Sequence, residues 1–559
     1  MKTAAYAAVL NHSRRTSTAR DDEARDRDNY SYVPVPLREE TPGPGQEEIR
    51  FSTDLDAEHH ILLEQHLREF RKNNSNRTWI VVMGALGVFL FFYLAIADHT
   101  IHHVNAQCDG LNGFTCSPEI SHFWGQSSPY FAVASEIATE VPDQCQITFA
   151  QILSRHGARD PTAGKTIKYQ ALIDRIHANA TSYSDSFAFI KDYKYTLGAD
   201  QLTTFGQQEL INSGIKFYQR YRPLAQGITP FVRASGQDRV VESAQNWTQG
   251  FHTARLQDAS STVNESLPFN IVQISEDQGQ NNTLNHDLCN NFEEGPLSDI
   301  GDDAVAKWQA VFAPPITARL NENLPGVNLT DDDTVSLMDM CPFNTVANDN
   351  GTIHPFCGLF TATEWQQYDY LATVGKFYSY SIGNPLGPTQ GVGFTNELIA
   401  RMTKSAVVDR TTTNSTLDGN STTFPLDAVL YADFSHDNDM MTIFSAMGLF
   451  NSTTPLSNTT LQTVQETHGF AVNRLVPFSS RAYFEKMTCT GSAEELVRVV
   501  INDRVMPLDT CGGDALGRCT LSAWVKSLSF ARAGGLWDSC FTPPAGQQHV
   551  EVAMVDRTL

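Results

Sequence analysis

No cysteine occurs before position 108, no charged residue lies between positions 79 and 97, and no segment repeats itself. Basic residues are scarce: 40 Lys and Arg stand against 63 Asp and Glu, for a net charge of −23. A chain this acidic lacks the basic surface that a phosphate backbone requires, which excludes nucleic acid as a partner. It does not exclude a small anionic ligand, which responds only to its local pocket. With 559 residues, 41% of them apolar, the chain is long enough for three or four structural units and a large core.

The uncharged stretch, Trp79 to Ala97, reads WIVVMGALGVFLFFYLAIA, and its 19 residues suffice to cross a bilayer as a helix. Trp79 and Tyr93 suit the two interfaces. Arg68, Arg71, Lys72 and Arg77 precede the stretch and Asp98 follows it, so the N-terminus is expected to stay cytosolic while the rest is exported. Ala95-Ile96-Ala97 resembles a signal-peptidase site, and cleavage after Ala97 would give a secreted protein. The apolar run is longer than an ordinary signal core, however, and 78 residues precede it. The expectation is therefore an uncleaved single-pass type II anchor in the secretory pathway or at the cell surface.

All ten cysteines follow this segment, from Cys108 to Cys540, which reads as five disulfides formed in an oxidising compartment; the residues alone leave the pairing open. The same side carries ten Asn-x-Ser/Thr sequons, at Asn179, Asn246, Asn264, Asn281, Asn328, Asn350, Asn414, Asn420, Asn451 and Asn458, as expected of a glycosylated surface. Residues 1–78 have a net charge of −2 and the remainder −21, so the exported part is the acidic one.

Residues 1–55 mix Arg and Asp, include a turn-rich TPGPG and lack apolar periodicity; they are expected to be disordered. Residues 56–72 have the pattern of a short amphipathic helix, lying on the membrane face or simply solvated. Together they make a cytosolic tail, 1–78, followed by the span 79–97, a linker 98–120 and a large domain 121–559. In that domain QITFAQILSRHG, ITPFVRASG and AVLYADFS read as strands. KYQALIDRIHAN, FGQQELINSGIKFYQRY, DRVVESAQNWTQGF, WQQYDYLATVGKFYSYSI and TQGVGFTNELIARMTK read as helices. Residues 255–350, rich in Asn, Asp and turns, read as an insertion of loops and helices. Alternating strands and helices predict an α/β sheet, with chemistry where strands end.

Two motifs stand at such ends. In Arg155-His156-Gly157-Ala158-Arg159-Asp160-Pro161-Thr162, arginines flank a histidine. Guanidinium forks match phosphate oxygens. Their charge keeps the imidazole neutral, and a neutral imidazole is a nucleophile. The second motif, Ser435-His436-Asp437-Asn438-Asp439, adds a histidine and a candidate proton donor.

RHGARDPT resembles the RHGARxP signature of histidine acid phosphatases, and most closely that of fungal phytases. HFWGQSSPYF, RASGQDRVVES, NPLGPTQGVGFTNELIARM, YADFSHDN and DALGRC are similar to further phytase segments in family order, over about residues 108–545. The resemblance implies an α/β core sheet with helices on both faces and an inserted, mainly α-helical cap, here roughly 163–225 and 245–425. It implies a metal-free, cofactor-free hydrolysis of phosphate monoesters through a phosphohistidine. His156 would be the nucleophile, Asp437 the general acid, and Arg155, Arg159, Arg233 and His436 the phosphate ligands. Gln126, Lys165 and Lys376 would contact substrate. It also implies the pairs Cys108–Cys116, Cys145–Cys489, Cys289–Cys540, Cys341–Cys357 and Cys511–Cys519. Leu202-Thr203 with Gly206 resembles a helix-start pattern of the wider superfamily, with a structural role.

The departures bear on substrate. Asp160 stands where the family commonly has tyrosine, and Asp439 where a small or neutral residue is usual. Ser127 replaces an aromatic, and Gly375-Lys376 stands for a basic pair. If Asp160 and Asp439 faced the pocket they would weaken its attraction for a polyanion. The expected activity is 3-phytase-like, on inositol hexakisphosphate, and favoured at low pH. The alternatives are a broad-specificity acid phosphatase and, from another class, a non-catalytic surface binding protein. The second is disfavoured because His156 and Asp437 are both present. A mutase-like transferase is disfavoured by the cysteines and export.

Overall fold

The computed structural model describes residues 108–263 and 266–542. The tail, the proposed span 79–97, the sequon at Asn264 and residues 543–559 lie outside the described residues. Among the described residues no helix is long and apolar enough to cross a membrane.

β1 (Asp109–Gly110) and β2 (Gly113–Phe114) pair as a small antiparallel ladder beside the Cys108–Cys116 disulfide. The main sheet contains β3 (Cys145–Arg155), β4 (Phe231–Ser235), β5 (Ile271–Ile274), β6 (Leu430–Ser435), β7 (Arg481–Cys489), β8 (Leu496–Ile501), β9 (Arg504–Val505) and β10 (Arg518–Thr520). Its order is β10-β8-β7-β3-β6-β4-β5, with β9 on β8. β3, β6, β4 and β5 are parallel; β7, β8 and β10 extend the sheet antiparallel. This antiparallel edge was not among the strands expected from the sequence. The first seven residues of β7 are buried, so it lacks the apolar–polar alternation that marks a half-exposed strand.

The longer helices are α1 (Ala163–Asn179), α2 (Thr204–Arg220), α3 (Asp238–Leu256), α4 (Asp299–Asn323), α5 (Asp331–Val346), α6 (Ala362–Tyr380), α7 (Val392–Thr403) and α8 (Asp437–Ala446). Successive side chains of β3 point to opposite faces. Ala150 and Ile152 pack with Leu210 and Phe217 of α2 and Trp247 and Phe251 of α3. Phe149 and Leu153 pack with Phe394 and Leu398 of α7 and Met440 and Phe444 of α8. A third cluster joins α1, α4, α5 and α6 through Ile173, Trp308, Phe312, Leu337 and Trp365; this is the cap.

The cap is therefore smaller than the expected 163–225 and 245–425. α2, the C-terminal part of α3, and α7 bury their apolar faces on the sheet and belong to the core. Within 255–350 the sequence reading missed the regularity of α4, a 25-residue helix that carries Pro314 and Pro315 internally. Proline removes a backbone donor and ordinarily marks a boundary. α5 and α6 start on capping boxes, Thr330 with Asp333 and Thr361 with Glu364.

The five disulfides are those the resemblance implied: Cys108–Cys116, Cys145–Cys489, Cys289–Cys540, Cys341–Cys357 and Cys511–Cys519. Cys145–Cys489 joins directly opposed residues of β3 and β7.

Candidate active site

β3 ends at Arg155, and the chain leaves the sheet at His156, whose N–H donates to the Ser435 carbonyl at the end of β6, at 3.1 Å. The next residues are gripped by two helices. Gly157 N–H donates to Ser243 Oγ of α3 at 3.1 Å, and Ala158 N–H donates to Glu209 Oε2 of α2 at 2.9 Å. Thr203 N–H donates to the Ala158 carbonyl at 3.0 Å, while Thr203 Oγ1 caps α2 by accepting from Gly206 N–H at 3.1 Å. The approach demands glycine. A Cβ on Gly157 would sit 2.3 Å from the Gly206 carbonyl oxygen, and one on Gly206 2.0 Å from that of Ala158. The Thr203–Gly206 pattern is thus the seat of the RHGAR loop.

His156 is 1% exposed. Its Nδ1 lies 2.9 Å from the Gly157 carbonyl oxygen, which can only accept, so Nδ1 carries the hydrogen and Nε2 keeps its lone pair. Nε2 is buried and has no hydrogen-bond partner among the described residues. Burial, and then the charges of Arg155, Arg239, Arg159 and His436, hold His156 well below the usual histidine range. The imidazole is neutral at acid pH, with a free in-plane nitrogen.

Three guanidinium groups surround it electrostatically. Arg155 Nη1 donates to the carbonyls of Gln126 and, at 2.8 Å, Val476; its Nη2 lies 3.2 Å from Asp437 Oδ1, and its plane sits 4.6 Å from the Phe478 ring centre. Arg159 Nη1 donates to the Asp160 carbonyl at 2.7 Å. Arg239, in the first turn of α3, makes a long 3.4 Å contact with Asp200. The Nε–H of all three is buried without a partner among the described residues. Burial brings Arg155 and Arg239 down to about 10 and lowers Arg159, so all stay charged at acid and neutral pH.

Asp437 opens α8, two residues beyond the end of β6. Its Oδ2 lies 2.6 Å from Lys376 Nζ and its Oδ1 faces Arg155. Burial would raise this carboxyl, but Arg155 and Lys376 outweigh it and hold Asp437 well below the usual carboxylate range. Lys376 comes from α6, so the cap reaches directly into the crevice. His436 caps α8 and places Nε2 3.0 Å from Glu276 Oε1; its ring centre is 5.6 Å from that of His156. Burial disfavours the Glu276 carboxylate, but the bond to His436 brings it down to about 2. A nucleophilic nitrogen, uncommitted cationic donors and a carboxyl thus converge at the C-terminal ends of parallel strands, the arrangement phosphoryl transfer needs.

Residues 146–502 match the model of the histidine phosphatase superfamily, branch 2. This chain belongs to that family. Among similar proteins, Phytase A of Aspergillus fumigatus is 53% identical over 441 residues, covering 78% of this chain and 94% of the relative. Phytase A of Aspergillus oryzae is 54% identical over 433 residues, 77% of this chain and 92% of that one. The crystal structure of the phytase from D. castellii shares the fold at a TM-score of 0.60 and 24% identity, over 74% of this chain and 86% of that one. So does the multiple inositol polyphosphate phosphatase of Bifidobacterium longum complexed with inositol hexasulfate, at a TM-score of 0.53 and 16% identity, over 73% of this chain and 97% of that one.

In this branch 2 phosphatase the residues named from the motifs do not all converge. Arg233, expected as a phosphate ligand, is a correction. It lies inside β4, with Nε donating to Asp433 Oδ1 at 2.8 Å and Nη2 to Glu397 Oε2 at 2.6 Å. The arginine of that segment within electrostatic reach of His156 is Arg239, which the sequence reading missed. The available signal was position: Arg239 follows the strand end, whereas Arg233 precedes it. Gln126 meets Arg155 through its backbone carbonyl, and its side-chain oxygen is buried and unpartnered among the described residues. Lys165 is on α1, half exposed and 3.0 Å from Asp339. Asp160 accepts from the Gly198 backbone, against which its carboxyl packs. Asp439 is 3% exposed in the first turn of α8. Of the sequons, Asn281 is half-buried, with its amide nitrogen donating to the carbonyls of Thr411 and, at 2.7 Å, Thr413, which a glycan would disrupt. Asn246 is also half-buried, donating to the Glu242 carbonyl at 2.9 Å. Asn179, Asn328, Asn350, Asn420 and Asn451 are exposed, and Asn414 and Asn458 partly so.

Proposed function

We propose that this chain releases orthophosphate from myo-inositol hexakisphosphate through a phosphohistidine on His156. The observation that carries the reading is the His156 Nε2 lone pair, fixed by the Gly157 carbonyl and set among guanidinium groups with free donors. The phosphoryl group would sit against Arg155, Arg159, Arg239 and His436. Nε2 forms the N–P bond as the P–O bond to the inositol breaks, and Asp437 gives its proton to the departing alkoxide. Water then attacks phosphorus, Asp437 takes back a proton, and the P–N bond breaks to yield orthophosphate.

The charge state of Asp437 fits this cycle. In the free site Arg155 and Lys376 keep it ionised. A phosphate monoester has its second pKa near about 6 and binds as a monoanion below that. Once the phosphoryl oxygens engage Arg155, their charge raises the proton affinity of Asp437, and the proton the ester brought can move to the carboxyl. His156 stays neutral throughout.

The preference for inositol hexakisphosphate over general monoesters is supported by the Phytase A relatives and by Asp160, whose carboxyl is turned onto Gly198. The same reading makes the domain exported, tethered through residues 79–97 and glycosylated at exposed sequons. It is supported by the confinement of all ten cysteines, as five pairs, to the chain after that segment. Phosphate release by the full-length protein near pH 5 tests it. Inositol hexakisphosphate is expected to be preferred over p-nitrophenyl phosphate, and the reverse preference would make the protein a general acid phosphatase.

A further inference from the structure

Glu276 stands two residues beyond the end of β5 and joins the two turns that carry Arg239 and His436. Its Oε1 lies 3.0 Å from Nε2 of His436, the capping residue of α8. The same oxygen accepts from the N–H of Gln237 at 3.3 Å; Gln237 caps α3, two residues before Arg239. The Ser235 hydroxyl, at the end of β4, accepts from Asn282 at 2.9 Å and gives its own hydrogen to the Glu276 carboxylate. Gly236 lets this turn close on β5, since a Cβ there would sit 2.9 Å from the Ile274 carbonyl oxygen. Donors from β4 and α3 thus seat a carboxylate against the ring of His436.

We propose that Glu276 is a positioning residue for phosphoryl transfer, fixing the His436 ring through Nε2 and holding it as an imidazolium whose Nδ1–H meets a phosphoryl oxygen. The inference rests on His436 being a phosphate ligand. Burial opposes charge on Glu276, but the bonds from His436, Ser235 and Gln237 bring it down to about 2, so it is ionised at acid and neutral pH. An ionised carboxylate only accepts, so the hydrogen between the two groups belongs to His436 Nε2. That leaves Nδ1, which makes no hydrogen bond among the described residues, to meet the phosphoryl group. A phosphoryl oxygen is a second acceptor, and an imidazole serves two acceptors only when both nitrogens carry hydrogen. Glu276 supplies the counter-charge that this cation needs. Other groups act on the pair: Asp437 and Asp439 in the first turn of α8, Arg239 in that of α3, and His156, which is neutral with its ring centre 5.6 Å away. These stay in place when the Glu276 charge alone is removed.

The test is kcat/KM for p-nitrophenyl phosphate with the full-length protein from about pH 4 to 7, for the parent, E276Q, H436N and the double variant. This ester makes little demand on Asp437, and the ratio of variant to parent at each pH cancels the titration of the ester itself. E276Q keeps an oxygen for Nε2–H but no charge, so the imidazolium loses its proton at lower pH. The variant is expected within about threefold of the parent near pH 4 and about 10- to 100-fold below it near pH 7. Orthophosphate, as a competitive inhibitor, should weaken with the same pH dependence. In the H436N background E276Q should change kcat/KM by less than about threefold at any pH, because the group it acts through is gone. An E276Q profile that superimposes on the parent would overturn the proposal. A loss that is uniform across pH, or that persists in H436N, would mean packing alone and would also overturn it. H436N at the parent level would instead remove His436 from the phosphate ligands and the proposal with it, while inactive H156A would leave the nucleophile standing.

Discussion

Arg233 and Arg239 come from one short stretch of sequence, and both are largely buried, but their surroundings differ. Arg233 has its own donors met within a carboxylate network, although Arg401 beside it keeps Nε and Nη2 unpartnered among the described residues. Asp433 also accepts from Arg401 Nη1 at 2.7 Å and Gln151 at 2.8 Å, Glu397 also accepts from Thr283 at 2.9 Å, and Arg401 lies 4.5 Å from the Tyr431 ring centre. Around the crevice the balance is reversed. Arg155, Arg159 and Arg239 keep Nε–H groups without partners among the described residues, and Asp437 must serve both Arg155 and Lys376. A buried cation matched by carboxylates locks strands together, whereas unsatisfied donors facing a strand end await an anion.

The largest effect should fall on the nucleophile: His156→Ala should lower kcat by at least about 10^4-fold on every ester, measured as phosphate release. Asp437→Asn should cost about 10^2- to 10^4-fold on alkyl phosphates and much less on p-nitrophenyl phosphate, whose leaving group needs no proton. The two arginines separate next. Arg239→Ala should reduce kcat/KM by about 10^2- to 10^3-fold while leaving the unfolding midpoint near that of the parent. Arg233→Met should do the opposite. It leaves Asp433 and Glu397 short of a buried cation and should cost about 3–5 kcal/mol in urea unfolding, with kcat/KM of the folded fraction nearly intact. Equal behaviour of the two variants would erase the distinction between lock and ligand.

The smallest effect concerns pH. His156 is held neutral and Asp437 ionised in the free site. kcat/KM for an alkyl phosphate should therefore stay flat through the acid range and fall only above about pH 6, as the ester loses its second proton. A fall starting near pH 4, at the ordinary carboxylate value, would mean that the free enzyme must hold the proton itself.

The parallel half of the core was legible because its strands end in residues that only chemistry explains. RHGAR follows β3 and SHD follows β6, and the core helices carry clear apolar periodicity. The cap boundary was not legible: periodicity marks α2 and α7 as helices but does not say whether the apolar face meets a sheet or other helices. α4 was hidden by Pro314 and Pro315, and β7 by burial on both faces. In RASGQDR the choice between two arginines depended on where the strand stops, an uncertainty of a few residues that moved the assigned role from Arg239 to Arg233. Asp439 was visible as a departure, but its burial at 3% exposure was not.

The central claim is that His156 Nε2 accepts the phosphoryl group. The most direct measurement is acid-free quenching of the full-length protein during turnover of 32P-labelled p-nitrophenyl phosphate, followed by peptide mapping. The account predicts a base-stable, acid-labile label on the peptide containing His156, absent in His156→Ala. A label on any other residue, or steady turnover with His156 never labelled, would contradict it.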